Sequence, residues 1–463
     1  MSDRATPHLT VADSPRPGVN IAGFFEGELG LGEVARKLGK GLEHAGVPFA
    51  AIPYRRLPSR QRHRVDLELA AEAPYDTNIV CLNADYLETF LGDVGVEFFA
   101  RRYAIGVWFW ETNVFPSGAG GERFLDEIWV ASEYVRHAIS KQVRIPVHVV
   151  PLPIEPPAPT QVSRSELGLP DGFTFLFTFD FISALRKNAT AVVEAYTRAF
   201  EPGDGALLVL KSINGRELKP KLLAELEETA GARPDIQIRD GYVDLPEKNA
   251  LTERCDCYVS LHRSEGFGLT MAEAMSLGKP VIATGYSGNT DFMDERSAYL
   301  VPYDLVPVPP DWWAHAPGAE WAEPDVAAAA ELMRHVFEHR DEARAVGARG
   351  RDQLLRQFSL ERTAEFISAR LADRAPSPSP ARVPLLRASR TLATAVGGPR
   401  SDDRVRGPVS FLRRLLVRTL WPHLADEHRF DSAVLDALTD LERSSTHAPA
   451  ASRDPRRSAN GRP

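Results

Sequence analysis

The sequence predicts an α/β protein of two consecutive doubly wound domains facing a cleft, followed by a C-terminal helical extension. Three observations predict it. Short apolar, β-branched runs alternate with longer segments of helical period, which implies parallel sheets built from right-handed crossovers. A cluster of prolines interrupts that alternation once. The length, 463 residues, exceeds the ~250–300 residues that one core fills.

Residues 1–17 read as an unstructured lead. From Gly18, strands are predicted at 19–23, 49–53, 78–82, 104–110, 127–131 and 147–150, with helices at 31–43 and 132–141. Residues 18–152 thus form a first Rossmann-like domain. Pro151, Pro153, Pro156, Pro157 and Pro159 mark a hinge, since proline cannot donate to a sheet ladder. The alternation then restarts with strands at 173–179, 206–211, 236–239, 257–261, 280–283 and 299–301, and helices at 188–200, 220–229, 269–277 and 326–338. Residues 153–374 form the second domain, and a cleft between two such domains is a default ligand site. Residues 375–408 open on Ala-Pro-Ser-Pro-Ser-Pro and read as a linker, 409–443 as a helical extension, and 444–463 as a disordered tail.

Composition narrows the function. The chain is 43% hydrophobic and 25% charged, as globular proteins are. Cys81, Cys255 and Cys257 are an odd set without CxxC spacing, which argues against a disulfide framework or a zinc site and fits a reducing compartment. Residues 1–18 lack the apolar centre of a secretory leader, and no ~18-residue apolar run exists to span a membrane, so a cytoplasmic setting is expected. Net charge is −8, but residues 375–463 hold 15 Arg against 9 acidic residues, a balance of +6. The first 374 residues carry the remaining −14, which argues against nucleic acid as a ligand.

The densest motif lies at 260–292. A buried strand ends in a polar turn containing Glu265, Gly266, Phe267 and Gly268, and a helix starts with Leu269 and Thr270. Free N–H groups and the positive dipole end at such a start bind phosphate, and glycines let the ligand approach the backbone. Glu265 sits at the strand's C-terminal end, where α/β proteins place ligands, and Glu273 lies in the early turns of the helix. Carboxylates there can accept hydrogen bonds from sugar or ribose hydroxyls. Two Glu at this spacing are also common helix-start residues.

The whole string, Glu-Gly-Phe-Gly with the second Glu and the helix–Gly–x–Pro–Val exit, resembles the E-x7-E signature of retaining GT-B glycosyltransferases of family four (glycosyl transferases group 1). The resemblance implies the GT-B fold, with the second domain holding a nucleotide-sugar donor and the first an acceptor. It extends to the turn Gly23–Glu33, where Gly30 and Gly32 match a loop that faces the cleft beside the donor diphosphate. The spacing of Gly27, Gly30 and Gly32 weakens a dehydrogenase reading; a tight turn that needs glycine for packing is the plainer alternative.

Further matches are local. Gly106-Val-Trp-Phe-Trp-Glu resembles a W-x-W-E subgroup: Trp110 and Glu111 stand where many members carry a His that contacts the transferring sugar. Alternation puts Trp108 and Trp110 on one side, suited either to sugar stacking or to core packing. In the second domain, Lys187 matches the lysine of an Arg-and-Lys pair in the family; Arg186 either substitutes for the arginine or is a solvated surface residue. Lys211 and the turn 241–243 match positions bordering the base. His262 suits the cleft or a structural role equally, and Asn289 reads as a helix cap.

No D-x-D triplet, Walker A string or G-x-S-x-G elbow occurs, so neither a metal nor another cofactor is expected. The expected catalytic set is Glu265, Lys187 and Glu111; the donor set adds Gly30, Gly32, Arg186, Lys211, Gly266, Phe267, Gly268, Leu269, Thr270 and Glu273, with Trp108 and Trp110 toward acceptor and sugar. The expected activity is metal-independent, retaining hexosyl transfer from a nucleoside-diphosphate sugar to a saccharide or lipid-linked acceptor, in surface polysaccharide or glycoconjugate synthesis. A sugar-nucleotide-binding scaffold that docks partner enzymes is the competing class. The Arg-rich segment 409–424 suits either an anionic membrane surface, at the inner face of the membrane, or packing on protein.

Overall fold

The computed structural model describes residues 9–374 apart from 57–59, 117–120, 311 and 313–315. The linker, helical extension and tail expected at 375–408, 409–443 and 444–463, with the 409–424 segment, lie outside the described residues.

The first domain is a parallel sheet of β1 (Thr10–Gly23), β2 (Phe49–Pro53), β3 (Glu72–Cys81), β4 (Tyr103–Val107), β5 (Glu127–Val130) and β6 (Val147–Val149). Its spatial order is β2-β1-β3-β4-β5-β6, so the direction of winding reverses between β1 and β3. Helices α1 (Gly30–His44), α2 (Ala84–Val94) and α3 (Glu133–Ser140) cover its faces. Val34, Ala35, Leu38 and Leu42 of α1 are fully buried at helical spacing against the sheet.

The second domain repeats the plan with β7 (Phe173–Asp180), β8 (Ala206–Ile213), β9 (Ile236–Asp240), β10 (Cys257–Ser260), β11 (Val281–Thr284) and β12 (Tyr299–Val301), in the order β12-β11-β10-β7-β8-β9. Here the reversal falls between β7 and β10. Crossovers and flanks are α4 (Ala184–Lys187), α5 (Ala189–Ala199), α6 (Gly215–Leu218), α7 (Pro220–Ala230), α8 (Leu245–Arg254), α9 (Leu269–Ser276), α10 (Val326–Glu338), α11 (Arg340–Gln357) and α12 (Leu360–Ala372). In a doubly wound sheet, ligands bind outside the strand C-termini at such a reversal.

Four features depart from expectation. β1 starts at Thr10, inside the expected lead, because Thr10 and Val11 pair with Glu72 and Ala73 of β3, and Arg102 donates to the Ala12 carbonyl at 2.7 Å. β4 ends at Val107, so Trp108 and Trp110 lie beyond the sheet. An antiparallel hairpin of β13 (Tyr303–Pro307) and β14 (Glu320–Pro324) follows β12. And α12, assigned by sequence to the second domain, returns to the first. Thr363 Oγ1 donates to the Pro151 carbonyl at 2.6 Å, Phe366 packs edge-on to Trp129, and Arg374 pairs with Asp76 at 2.8 Å. Arg370 pairs with Glu127, a carboxylate with no exposure that also accepts from Trp129 Nε1 at 2.8 Å. All three cysteines are free and buried.

Candidate functional site

The reversal point of the second sheet brings two loops together. After β7, Asp180 caps the turn by accepting from Ile182 N at 2.9 Å, and the short α4 carries Arg186 and Lys187. Asn188 closes α4 at φ 56°, a left-handed conformation that asparagine tolerates, and α5 starts directly after it. After β10 comes the loop with Glu265. Arg186 ties the two: Nη1 donates to the Ser264 carbonyl at 2.6 Å and lies 3.1 Å from Glu265 Oε1, while the Arg186 carbonyl accepts from Arg263 N. Lys187 Nζ lies 2.5 Å from the same oxygen. Arg186 is 7% exposed, so it is not a solvated surface residue.

Glu111, from the loop after β4 of the first domain, approaches from the other side, 4.0 Å from Arg186 Nη2. The guanidinium therefore lies between a carboxylate of each domain. Burial alone would raise the Glu265 carboxyl, but Lys187 and Arg186 outweigh it and hold it at about 2. Glu111 goes the other way: burial raises its pKa more than Arg186 lowers it. Two neighbouring carboxyls with opposite shifts are a recurrent sign of a working site.

The turn itself is braced from behind. Glu265 N donates to Ser287 Oγ at 2.8 Å, and Ser287 is held at φ 74° to present that hydroxyl. Gly288 has no side chain because a Cβ would meet the Gly266 carbonyl at 2.4 Å. His262 is structural: its Nδ1 lies 3.0 Å from Ser260 Oγ and its Nε2 3.0 Å from Asn289 Oδ1, a pattern that fits the Nε2–H tautomer. Burial pushes the imidazole below its usual range, which keeps it neutral. Asn289 donates onward to the Thr284 carbonyl, so it links the loops, and Ser287 precedes the short helical turn where a cap would stand.

Gly268, at φ 99°, turns the chain into α9. The first N–H groups of that helix, on Leu269 and Thr270, have no intrahelical partner, an arrangement suited to an anion. Gly30 meets this end from the first domain; a Cβ there would lie 3.9 Å from Leu269. Thr270 uses its hydroxyl on Tyr258. Glu273, in the next turn, pairs with Lys248 of α8 at 2.7 Å.

Several expected contacts are packing contacts instead. Trp108 is 1% exposed and stacked on Phe115, and Trp110 is 9% exposed, edge-on to the same ring, with Nε1 bonded to Thr112 and the Val114 carbonyl. Neither offers an open face to a sugar, since the strand ends early and both side chains turn into the first-domain core. Gly32 serves the turn: its Cβ would meet the Gly27 and Phe24 carbonyls at 2.5 and 2.6 Å. Phe267 packs against Phe292 and Phe358. Gly266 lies against Phe109 and the Trp110 carbonyl of the first domain, and its own carbonyl accepts from Ser132 Oγ at 2.7 Å. The buried Lys211 ammonium is spent on the Ser212 and Gly241 carbonyls, so it fixes the turn at 241 rather than reaching a ligand.

Sequence reasoning missed other residues that cross the cleft. Arg60 lies over the Tyr242 ring at 4.2 Å while its Nε pairs with Glu28 at 2.6 Å, and the Tyr134 hydroxyl meets Tyr286 and Ser264, each at 3.3 Å. Asp291 accepts from Glu133 N at 2.8 Å. Only tertiary structure pairs them; no local pattern marks them.

Known proteins resemble this chain in sequence segments and in fold. Residues 173–307, the β7-to-β13 stretch that holds the site, match the family described as Glycosyl transferases group 1. Trehalose synthase of Pyrococcus horikoshii is 23% identical over 185 residues, 39% of this chain and 39% of that protein. Alpha-monoglucosyldiacylglycerol synthase of Streptococcus pneumoniae is 30% identical over 176 residues, 35% of this chain and 38% of that protein. The chain thus aligns with about two fifths of either curated relative. Among solved structures, HepE of Anabaena, in complex with UDP and glucose, superposes with TM-score 0.56 at 14% identity, covering 78% of this chain and 100% of that one. Sucrose-phosphate synthase of Thermosynechococcus elongatus gives TM-score 0.55 at 17% identity, covering 76% and 98%. The chain has the GT-B fold, and its segment 173–307 is a match to the group 1 glycosyl transferases.

Proposed function

We propose that this protein is a retaining glycosyltransferase that moves a hexose from a nucleoside-diphosphate sugar to a saccharide or lipid-linked acceptor without a metal ion. The observation that carries the reading is the cluster of Arg186, Lys187 and Glu265 at the β7/β10 reversal, next to the N-terminus of α9. Two largely buried cations and a helix dipole concentrate positive potential where a diphosphate leaving group gathers charge. Preorganised stabilisation of that kind usually lowers the barrier to group transfer more than any other single effect. Glu265 accepts hydrogen bonds from hydroxyls of the transferred sugar and, as a carboxylate held at about 2, stays an acceptor at any working pH. Glu111 reaches the same cluster from the acceptor domain, and Glu273 takes the ribose. The facing domains exclude water that would hydrolyse the donor. The names of the curated relatives, both sugar-joining enzymes, support the reaction class. Surface polysaccharide or glycoconjugate synthesis is the setting we propose.

HepE's bound UDP and glucose make UDP-glucose the first donor to assay, followed by GDP- and ADP-sugars. Donor consumption should fall about a hundredfold or more in Glu265→Ala. Equal turnover by wild type and variant would sink the assignment, whereas tight nucleotide binding without turnover in either would move the protein to the scaffold class.

A further inference from the structure

The Glu273 carboxylate does not stand alone. Lys248 Nζ donates to its Oε2 at 2.7 Å, from α8, the helix that follows the Gly241 turn. Neither side chain is sealed in the core: 18% of Glu273 and 41% of Lys248 stay accessible. The first domain contributes as well. Glu33, in the first turn of α1, pairs with Arg36 at 2.9 Å and Lys37 at 3.4 Å. Burial would raise the Glu33 carboxyl, yet Lys37 and Arg36, with Lys248 across the cleft, bring it to about 2. Burial in turn lowers the Lys248 ammonium less than Glu273 and Glu33 raise it, with Arg36 opposing. The contact that Lys248 makes is therefore with the carboxylate of its own domain, Glu273.

As a stabiliser this part-exposed pair is worth little, because solvent screens it. Its geometric effect is larger. A free glutamate must give up rotamer freedom before it can bind two hydroxyls at once. A glutamate already anchored through one oxygen has a set orientation and keeps lone pairs for two more donors. Resting on the nucleoside-diphosphate-sugar reading above, we propose that Lys248 is a positioning residue for ribose recognition. It holds the Glu273 carboxylate so that the vicinal diol of a nucleoside diphosphate docks on it.

The test is calorimetric titration of the full chain with UDP, GDP and ADP and with their 2′,3′-dideoxy counterparts. The nucleotide that binds wild type best should lose about tenfold in affinity when the diol is removed, the loss expected of unmade hydrogen bonds to a charged group. In Lys248→Met the ribonucleotide should weaken to within about threefold of its dideoxy form, which itself binds as before. Lys248→Arg should retain most of the preference, and Glu273→Gln should lose it. Lys248→Gln serves the same comparison should the methionine variant fail to fold. A Lys248→Met protein that keeps the full preference for the diol overturns the positioning role while leaving the donor site standing. Wild type that binds none of the six nucleotides overturns the donor-site reading and this inference together.

Discussion

Arg370→Ala should destabilise the protein by about 3 kcal/mol, although Arg370 lies far from the cleft. Its partner is the reason. The Glu127 side chain has no solvent exposure, and Arg370 supplies its countercharge; its other contacts include Trp129 Nε1 at 2.8 Å, His148 Nε2 at 3.4 Å and the Tyr103 hydroxyl. Breaking a buried pair by removing one partner costs about 3–5 kcal/mol, because a charge is left in the interior. The Trp129 bond survives, and His148, now held below its usual pKa by burial and by Arg370, can take up a proton once the arginine has gone. Both effects favour the lower end. Urea unfolding of the full chain near neutral pH gives the size of the loss as a shift in midpoint at constant slope. The double variant Glu127→Gln/Arg370→Ala replaces the stranded charge with a neutral acceptor and should recover about half of the loss. A single variant within about 1 kcal/mol of wild type, or a double variant no more stable than the single, refutes the argument.

Three further outcomes follow from the site. The stability advantage of wild type over Glu265→Gln should be level at neutral pH. Because the folded carboxyl titrates near about 2 and the unfolded one near ~4.3, the advantage should shrink as pH falls from about 5 toward 2; a difference that grows in acid contradicts the pairing with Lys187 and Arg186. Gly32→Ala should cost about 1–3 kcal/mol in thermal unfolding, since its methyl would strike two backbone carbonyls, whereas Gly30→Ala, with 3.9 Å of room, should stay within ~0.5 kcal/mol. Ser132→Ala should lose about 1–2 kcal/mol, because it removes both the cap on Val135 N and the bond to the Gly266 carbonyl; an unchanged melting temperature would show that the bond across the domains carries no weight.

The sheet plan was legible because buried parallel strands are unbroken apolar runs: β8 and β11 sit where Ala206–Lys211 and Pro280–Ala283 suggested, within a residue or two. Helices with little apolar periodicity were not legible. The sequence of α11 is rich in Arg, with small residues such as Gly347 and Gly350 making its contacts, and α8 is similarly polar. The β13–β14 hairpin hides among prolines, and only its pairing reveals it. At the site, Glu265 and Lys187 could be found because each sits at a strand end with a local signature. Lys248 could not, since the carboxylate it pairs with lies on another helix and no local pattern joins the two. The tryptophans misled because alternation was carried three residues past the end of β4.

The return of α12 has a mechanical consequence. The main chain crosses between the domains twice, once on the way out through Pro151–Ile154 and once on the way back at Phe358, and the two crossings are joined where Ile154 N donates to the Phe358 carbonyl at 2.8 Å. A single strand would let the halves swivel about every bond, but two plies laced together bend in one direction and resist torsion. Opening for substrate should therefore follow one arc, bringing Glu111 back to Arg186 in the same register on every cycle. For the same reason, residues 18–152 expressed alone would expose the α1 face that Thr363 and Ile367 cover.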